Sequence, residues 1–255
     1  MDMLDIYTDY LICQNKYATA TGLSDMVDGE ISHDKVTRFL RQGDFDSKML
    51  WKHVKPAVRD RETQNGVLIL DDSIEDKPYT DENEVNCWHY SHAKGDVVKG
   101  INFLSCMVRY DDFSLPIGYE IIKKDIQYSD IKTQKIRRKA TVNKNQHFRQ
   151  LIQQACTNHV LFEWVLADNW FGSKANMEFI HDELQKSFII GIKSNRTLAL
   201  SENDAKNGRH QQVRSLELEE DVVHKVWLKG LAFPVQLLKK VFKNENGTTG
   251  TLYLV

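Results

Sequence analysis

Asp71 and Asp72 close a run of four aliphatic residues, Val67-Leu68-Ile69-Leu70, and Ser73 follows them. A third acid, Asp168, closes a similar run, Val165-Leu166-Ala167, with Asn169-Trp170-Phe171-Gly172-Ser173 behind it. Short continuous aliphatic runs read as strands buried on both faces. A carboxylate at the end of such a strand needs a partner, because burying its charge alone costs several kcal/mol or more. A divalent cation shared by the two strand ends is one partner. An arginine, or exposure where the strand leaves the core, is another.

The remaining polar candidates have plainer readings. His89 and His92 have no cysteine or third histidine at ligand spacing, so they read as a hydrogen-bonded loop pair. Asp111 and Asp112 suit a turn. Trp170 and Phe171 would stack on an unpaired base or pack beside the strand before them. Cys13, Cys87, Cys106 and Cys156 are scattered, with no C-x-x-C spacing, which points to reduced thiols and not to a disulfide frame or zinc site. The net charge of −2 does not announce a nucleic-acid binder. Its distribution is uneven, however. Between 123 and 149 stand Lys123, Lys124, Lys132, Lys135, Arg137, Arg138, Lys139, Lys144 and Arg149, against Asp125 and Asp130. Such a run is a solvated surface or, beside an acidic metal site, a phosphate track.

The elements that would position these residues follow from periodicity. Residues 3–20 are spaced as a helix. Between 20 and 40 the pattern is a short helix capped at Ser24, a turn at Gly29, and a helix capped at Ser32. The last of these would turn Lys35, Arg38 and Arg41 outward and Val36, Phe39 and Leu40 inward, a helix-turn-helix layout shared with many small helical hairpins. Residues 47–64 form a further amphipathic helix containing Pro56. Strands are expected at 67–71, 100–109, 115–122, 161–167 and 188–193, with a long loop at 74–95 and helices at 143–158 and 173–186. Hairpin strands one to three, helix, strand, helix, strand is the order of a ribonuclease-H-like α/β fold, a mixed sheet with flanking helices. There the ends of the first and fourth strands are neighbours. From 196 onward the chain is polar, then β-rich, and it stops inside an apolar β-type run, which predicts an unpaired terminal strand. Three regions result: a helical 1–64, a core at 65–195 and a β-rich 196–255. Length and a 41% hydrophobic, 27% charged composition fit a globular protein, and no apolar run or leader marks a membrane or secreted chain, so a cytoplasmic location is expected.

Asp71-Asp72-Ser73, Ala167-Asp168-Asn169-Trp170-Phe171-Gly172-Ser173, the 22–40 segment, and His89-Tyr90-Ser91-His92 followed by Val98-Lys99-Gly100-Ile101-Asn102 together resemble the DDE transposases of bacterial insertion sequences. The branch resembled has a ribonuclease-H-like core interrupted by a β-rich insertion. That resemblance implies cut-and-paste transposition of double-stranded DNA: the element's terminal repeats are cut and joined to target DNA. It also implies a homodimer that holds two ends, and two Mg²⁺ ions, replaceable by Mn²⁺, held by three acids. The first acid maps to Asp72, with Asp71 as the alternative, and the second to Asp168. The third should be a glutamate in a Tyr-x-x-Arg-x-x-x-Glu-x-x-x-x-x-x-Lys helix, which nothing after Asp168 matches; Glu217, Glu219 and Glu220 lack the tyrosine and arginine. Lys35, Arg38, Arg41, Lys99, Lys123, Lys124, Arg137 and Arg138 are the candidates for DNA contact. The expectation is therefore a transposase truncated before its last acid and inactive alone. A non-catalytic fragment that binds element ends or inhibits the intact enzyme is the alternative. A ribonuclease-H-like nuclease of RNA hybrids or DNA junctions is disfavoured by the helical N-terminus and the β insertion.

Overall fold

The structure, a computed structural model, describes residues 2–15, 17–91, 94–244 and 247–255. Contacts divide the chain into two compact units that meet between Met49 and Leu50. The first contains α1 (Met3–Cys13), α2 (Ala20–Met26) and α3 (His33–Gln42). Its small core is Tyr10, Leu23 and Val36, with Ile6, Tyr7 and Ile31 partly buried around them. The α2 cap is Thr19 and not Ser24: its hydroxyl accepts the Gly22 N–H at 2.9 Å, so the helix starts earlier than its apolar spacing suggests. Gly29, at φ +79, makes the expected turn, and Ser32 caps α3 by accepting the Lys35 N–H. The stripe α3 buries is narrow, Val36 wholly and Phe39 in part, and Leu40 is exposed instead of inward.

Helix α4 (Ser47–Arg61) continues through Pro56 and places Trp51 and Val58 in the core of the second unit, so the compact division falls well before position 64. Then come β1 (Val67–Asp76), β2 (Asn86–Ser91), β3 (Asp96–Tyr110), β4 (Phe113–Ile121), β5 (Ile126–Ser129), β6 (Ile136–Lys139), α5 (Lys144–Thr157), β7 (Trp164–Ala167), α6 (Lys174–Glu178) with a π-helical turn at Phe179–Glu183, and β8 (Ser187–Ile192). The chain continues through β9 (Thr197–Ala199), α7 (Glu202–Lys206), β10 (Gln211–Gln212), β11 (Val223–Leu228), β12 (Val235–Lys243) and β13 (Thr249–Leu254).

The core strands lie in the order β4, β3, β1, β7, β8; β3 is antiparallel to both neighbours, while β1, β7 and β8 are parallel. This is the ribonuclease-H-like arrangement. Parallel neighbours need crossovers, and α6 supplies the one between β7 and β8. Phe148, Leu151 and Ile152 of α5 share one core with Leu68 and Leu70 of β1 and Val165 of β7.

Three expectations are corrected. Strand β1 does not end at Asp71 but runs to Asp76, because β3 offers it a partner at every position from Arg109 to Gly100. The expected loop at 74–95 holds for 77–85, but the stretch also contains the end of β1 and the whole of β2, which pairs with the first part of β3. Polar residues hid it, since its strand character comes from backbone pairing and not from an apolar face. Finally, the terminal strand is not unpaired. β13 lies between β12 and β8, and Val255 exchanges both backbone hydrogen bonds with Ile190 at 2.8 and 3.0 Å. Strands β9 to β13 thereby extend the same sheet. No helix among the described residues is long and apolar enough to cross a membrane.

Candidate active site

Parallel pairing fixes the acids. Leu70 is in register with Ala167, so Asp71 and Asp72 follow on β1 where β7 gives way to Asp168. The loop after Asp168 is held against β8 by two glycines. A Cβ on Gly191 would lie 2.8 Å from the Asn169 nitrogen, and one on Gly172 would lie 2.6 Å from the Gly191 carbonyl oxygen. Asp168 Oδ1 accepts the Trp170 N–H at 2.9 Å, which orients the carboxylate. Phe171 is wholly buried and stacked on Phe148, with ring centroids 4.8 Å apart, which makes it core; Trp170 remains 43% exposed.

Asp71, Asp72, Asp168 and Trp170 line one cleft of about 1130 Å³, together with Lys124, His89 and Lys144. Alternation along β1 sends Asp72 to the face of Leu68 and Leu70 and Asp71 to the other. Asp72 Oδ2 accepts from Lys144 Nζ at 2.5 Å and from Asn102 Nδ2 at 2.9 Å. Lys144 is the first residue of α5, placed by the Asn143–Gln146 capping box, and its ammonium lies 5.1 Å from the centre of the Trp170 ring. Lys193 approaches the same ring at 5.4 Å. Asp71 Oδ1 accepts the Asp72 N–H.

Burial, and then the charges of Asp168 and Asp72, push the Asp71 carboxyl above the usual carboxylate range. Burial and the charge of Asp72 do the same to Asp168. His89 goes the other way: burial and the nearby Lys124 and Lys144 cations lower it to about 4, leaving a neutral ring at neutral pH with Nε2 3.3 Å from the Cys87 sulfur. Burial also lowers Lys124, whose ammonium donates to the Trp88 carbonyl at 2.5 Å.

Carboxylates crowded in one cleft, Asp71 and Asp168 raised first by burial and then by neighbouring acidic charge, suit a hard divalent cation. So does the Asn102 carbonyl oxygen: the residue is wholly buried, its Nδ2 is held by Asp72, and its Oδ1 has no hydrogen-bond partner among the described residues. The donor set is nevertheless short. Among the described residues, no three His, Cys, Asp or Glu side chains are arranged to hold one ion. None of Glu217, Glu219 and Glu220 lines the cleft; Glu220 accepts the Val241 N–H instead.

The other candidates scatter. Lys35, Arg38 and Arg41 are exposed on α3. Lys99 lies in a separate groove beside Pro78 and Trp88. Lys123 is exposed, whereas Arg137 pairs with Asp130 at 3.3 Å and Arg138, 15% exposed, pairs with Glu82 at 3.2 Å. His89 stands on β2 and not in a loop, and His92 lies outside the described residues. Sequence reasoning gave no role in the acidic site to Asn102, His89, Lys144 and Lys193. Asn102 alone carried a clear signal, a polar side chain in the buried phase of an apolar strand.

A family model described as "DDE superfamily endonuclease" matches residues 1–225. No curated protein matches the chain. Among solved structures it is similar to the Drosophila P element transposase strand transfer complex, with 10% identity and a TM-score of 0.35, covering 71% of this chain and 36% of that one. The chain thus spans little more than a third of that relative's length.

Proposed function

The chain belongs to the DDE superfamily endonucleases, and on that premise we propose that it is a DNA transposase of an insertion sequence whose Asp72 and Asp168 are the metal-holding acids. One observation carries the reading. Residues 168 − 72 = 96 positions apart in sequence, Asp72 on β1 and Asp168 just past the end of the parallel strand β7, line one cleft. Mg²⁺, or Mn²⁺ in its place, would be held by Asp72 and Asp168 with the Asn102 carbonyl oxygen beside them. Bound there, it would acidify a coordinated water and offset charge on a phosphodiester.

The chain's own groups do the rest. Asn102 fixes the Asp72 carboxylate through its amide hydrogen bond, and the Trp170 N–H fixes that of Asp168. Lys144 neutralises Asp72 and offers a cation within the cleft for a phosphate oxygen. Trp170, between Lys144 and Lys193, offers a ring for an unpaired base at the cut. The partner is double-stranded DNA, element ends and target, with α3 contributing Lys35, Arg38 and Arg41 and a homodimer holding the two ends.

A second reading, DNA binding without cleavage, is favoured by the short donor set, since two-metal displacement needs more ligands than Asp72 and Asp168 supply. Incubating the chain with duplex element ends and Mg²⁺ separates the two. Cleavage abolished by Asp72→Asn and by Asp168→Asn supports the enzyme, and end-specific, salt-sensitive binding without any cut supports the second reading. No preference for element ends over random duplex overturns both.

A further inference from the structure

Between β4 and α5 the chain leaves the main sheet, and β5 and β6 form a two-stranded sheet of their own. Both roots of this hairpin are on the acidic cleft, which Ile122 and Lys124 line before it and Ala140, Asn143 and Lys144 after it. The roots are fixed. Arg138 is paired with Glu82, and Asp125 accepts the Thr141 N–H at 2.8 Å and its hydroxyl at 2.7 Å. The tip is fixed as well: Asp130 Oδ1 accepts the N–H groups of Lys132 and Thr133 at 3.1 and 2.8 Å. The Asp130 backbone N–H donates to the Lys135 carbonyl, and its carbonyl accepts the Gln134 N–H. A tip ordered in advance loses little freedom on binding.

What this tip presents is unusual in combination. Ile131 is 95% exposed, and Lys132 next to it and Lys135, whose carbonyl accepts the Asp130 N–H across the turn, are exposed and make no ion pair among the described residues. Over 126–139 the hairpin carries Lys132, Lys135, Arg137, Arg138 and Lys139 against Asp130 alone. One exposed isoleucine is ordinary. An apolar point with two exposed lysines in the same turn, on a braced arm rooted at a carboxylate cleft, matches what an architectural wedge offers a duplex: an aliphatic side chain against a base step and cations for nearby phosphates.

We propose that the β5–β6 hairpin is a minor-groove arm. Lys132 and Lys135 take phosphates on the two sides of the groove and Ile131 wedges against a base step, which holds the duplex that flanks the strand in the cleft. The proposal rests on the reading of that cleft as a site for DNA. Its test uses the full chain and a short duplex carrying 2-aminopurine, with binding measured across a range of salt concentrations. Each phosphate contact contributes about 0.9 to the slope of log K against log salt, so Lys132→Ala/Lys135→Ala should lower the slope by about 1.8, and Lys132→Arg/Lys135→Arg should restore it. Ile131→Ala should leave the slope unchanged and remove the rise in 2-aminopurine emission that unstacking produces. A wild-type slope in the double alanine variant, or an emission rise that survives Ile131→Ala, overturns the arm while the reading of the cleft stands. If the wild-type chain binds no duplex at any salt concentration, both fall.

Discussion

At the scale of single residues, Lys144 and Asp72 decide most. The Lys144 ammonium shares Asp72 Oδ2 with Asn102, so a divalent cation arriving at Asp72 meets a positive charge already in place. Lys144→Ala should therefore tighten Mg²⁺ binding severalfold while weakening duplex binding. Titration of the intrinsic fluorescence, to which Trp170 contributes, gives the first and a salt series the second; unchanged or weaker Mg²⁺ binding contradicts the assignment. His89 makes a separate prediction. Its folded-state pKa of about 4 lies below the ordinary 6.5, so the stability it contributes is whole above pH 6.5 and is lost as pH falls from 6.5 toward 4. The size is roughly 3 kcal/mol, and denaturant unfolding over that pH range should show a drop that His89→Gln flattens. An equal drop in the variant would mean that other groups carry it.

At the scale of elements, the site depends on two backbone devices. The capping box that starts α5 sets the position of Lys144. Asn143→Ala should cost about 1 kcal/mol of stability and reproduce in weaker form the tighter Mg²⁺ binding of Lys144→Ala. Gly191 lets the Asn169 backbone sit against β8. A methyl there forces the loop away, so Gly191→Ala should cost about 1–3 kcal/mol and weaken Mg²⁺ binding by displacing Asp168; stability and Mg²⁺ affinity equal to wild type would show that the close approach is dispensable. The elements were unequally legible. Strands β1, β3, β4, β7 and β8 and helix α5 announce themselves by aliphatic runs or periodic spacing, and with them the position of Asp72 and Asp168 on one cleft. Strand β2 and the β5–β6 hairpin do not, because Asn86-Cys87-Trp88-His89-Tyr90-Ser91 and Ile136-Arg137-Arg138-Lys139 are shaped by backbone pairing and carry no aliphatic run. For that reason His89 reads as a loop residue from sequence, and Lys144 as one cation of the 123–149 basic stretch. The partners of Asp72 were illegible for another cause: Asn102 and Lys144 lie 30 and 72 residues away and meet it only through sheet register and the placement of α5.

At the scale of the molecule, a net charge of −2 conceals a sorted surface. Acids collect where β1 outruns β7, cations line the rim through Lys124 and Lys144, and the most basic stretch is carried out on a hairpin whose roots are in that cleft. The β-rich last quarter continues the sheet through β13 against β8, so its strands brace the edge nearest Gly191 and Asp168. The most direct test of the central claim, that Asp72 and Asp168 form one divalent-cation site, is Mn²⁺ binding followed by electron paramagnetic resonance. It would compare the wild-type chain, Asp72→Asn, Asp168→Asn and the turn variant Asp111→Asn. One site is expected in the wild type and in Asp111→Asn, weakened at least about tenfold by either of the other two substitutions, as the loss of a direct charged ligand at about 1.4 kcal/mol or more requires. Equal binding in all four chains, or none in the wild type, would contradict it.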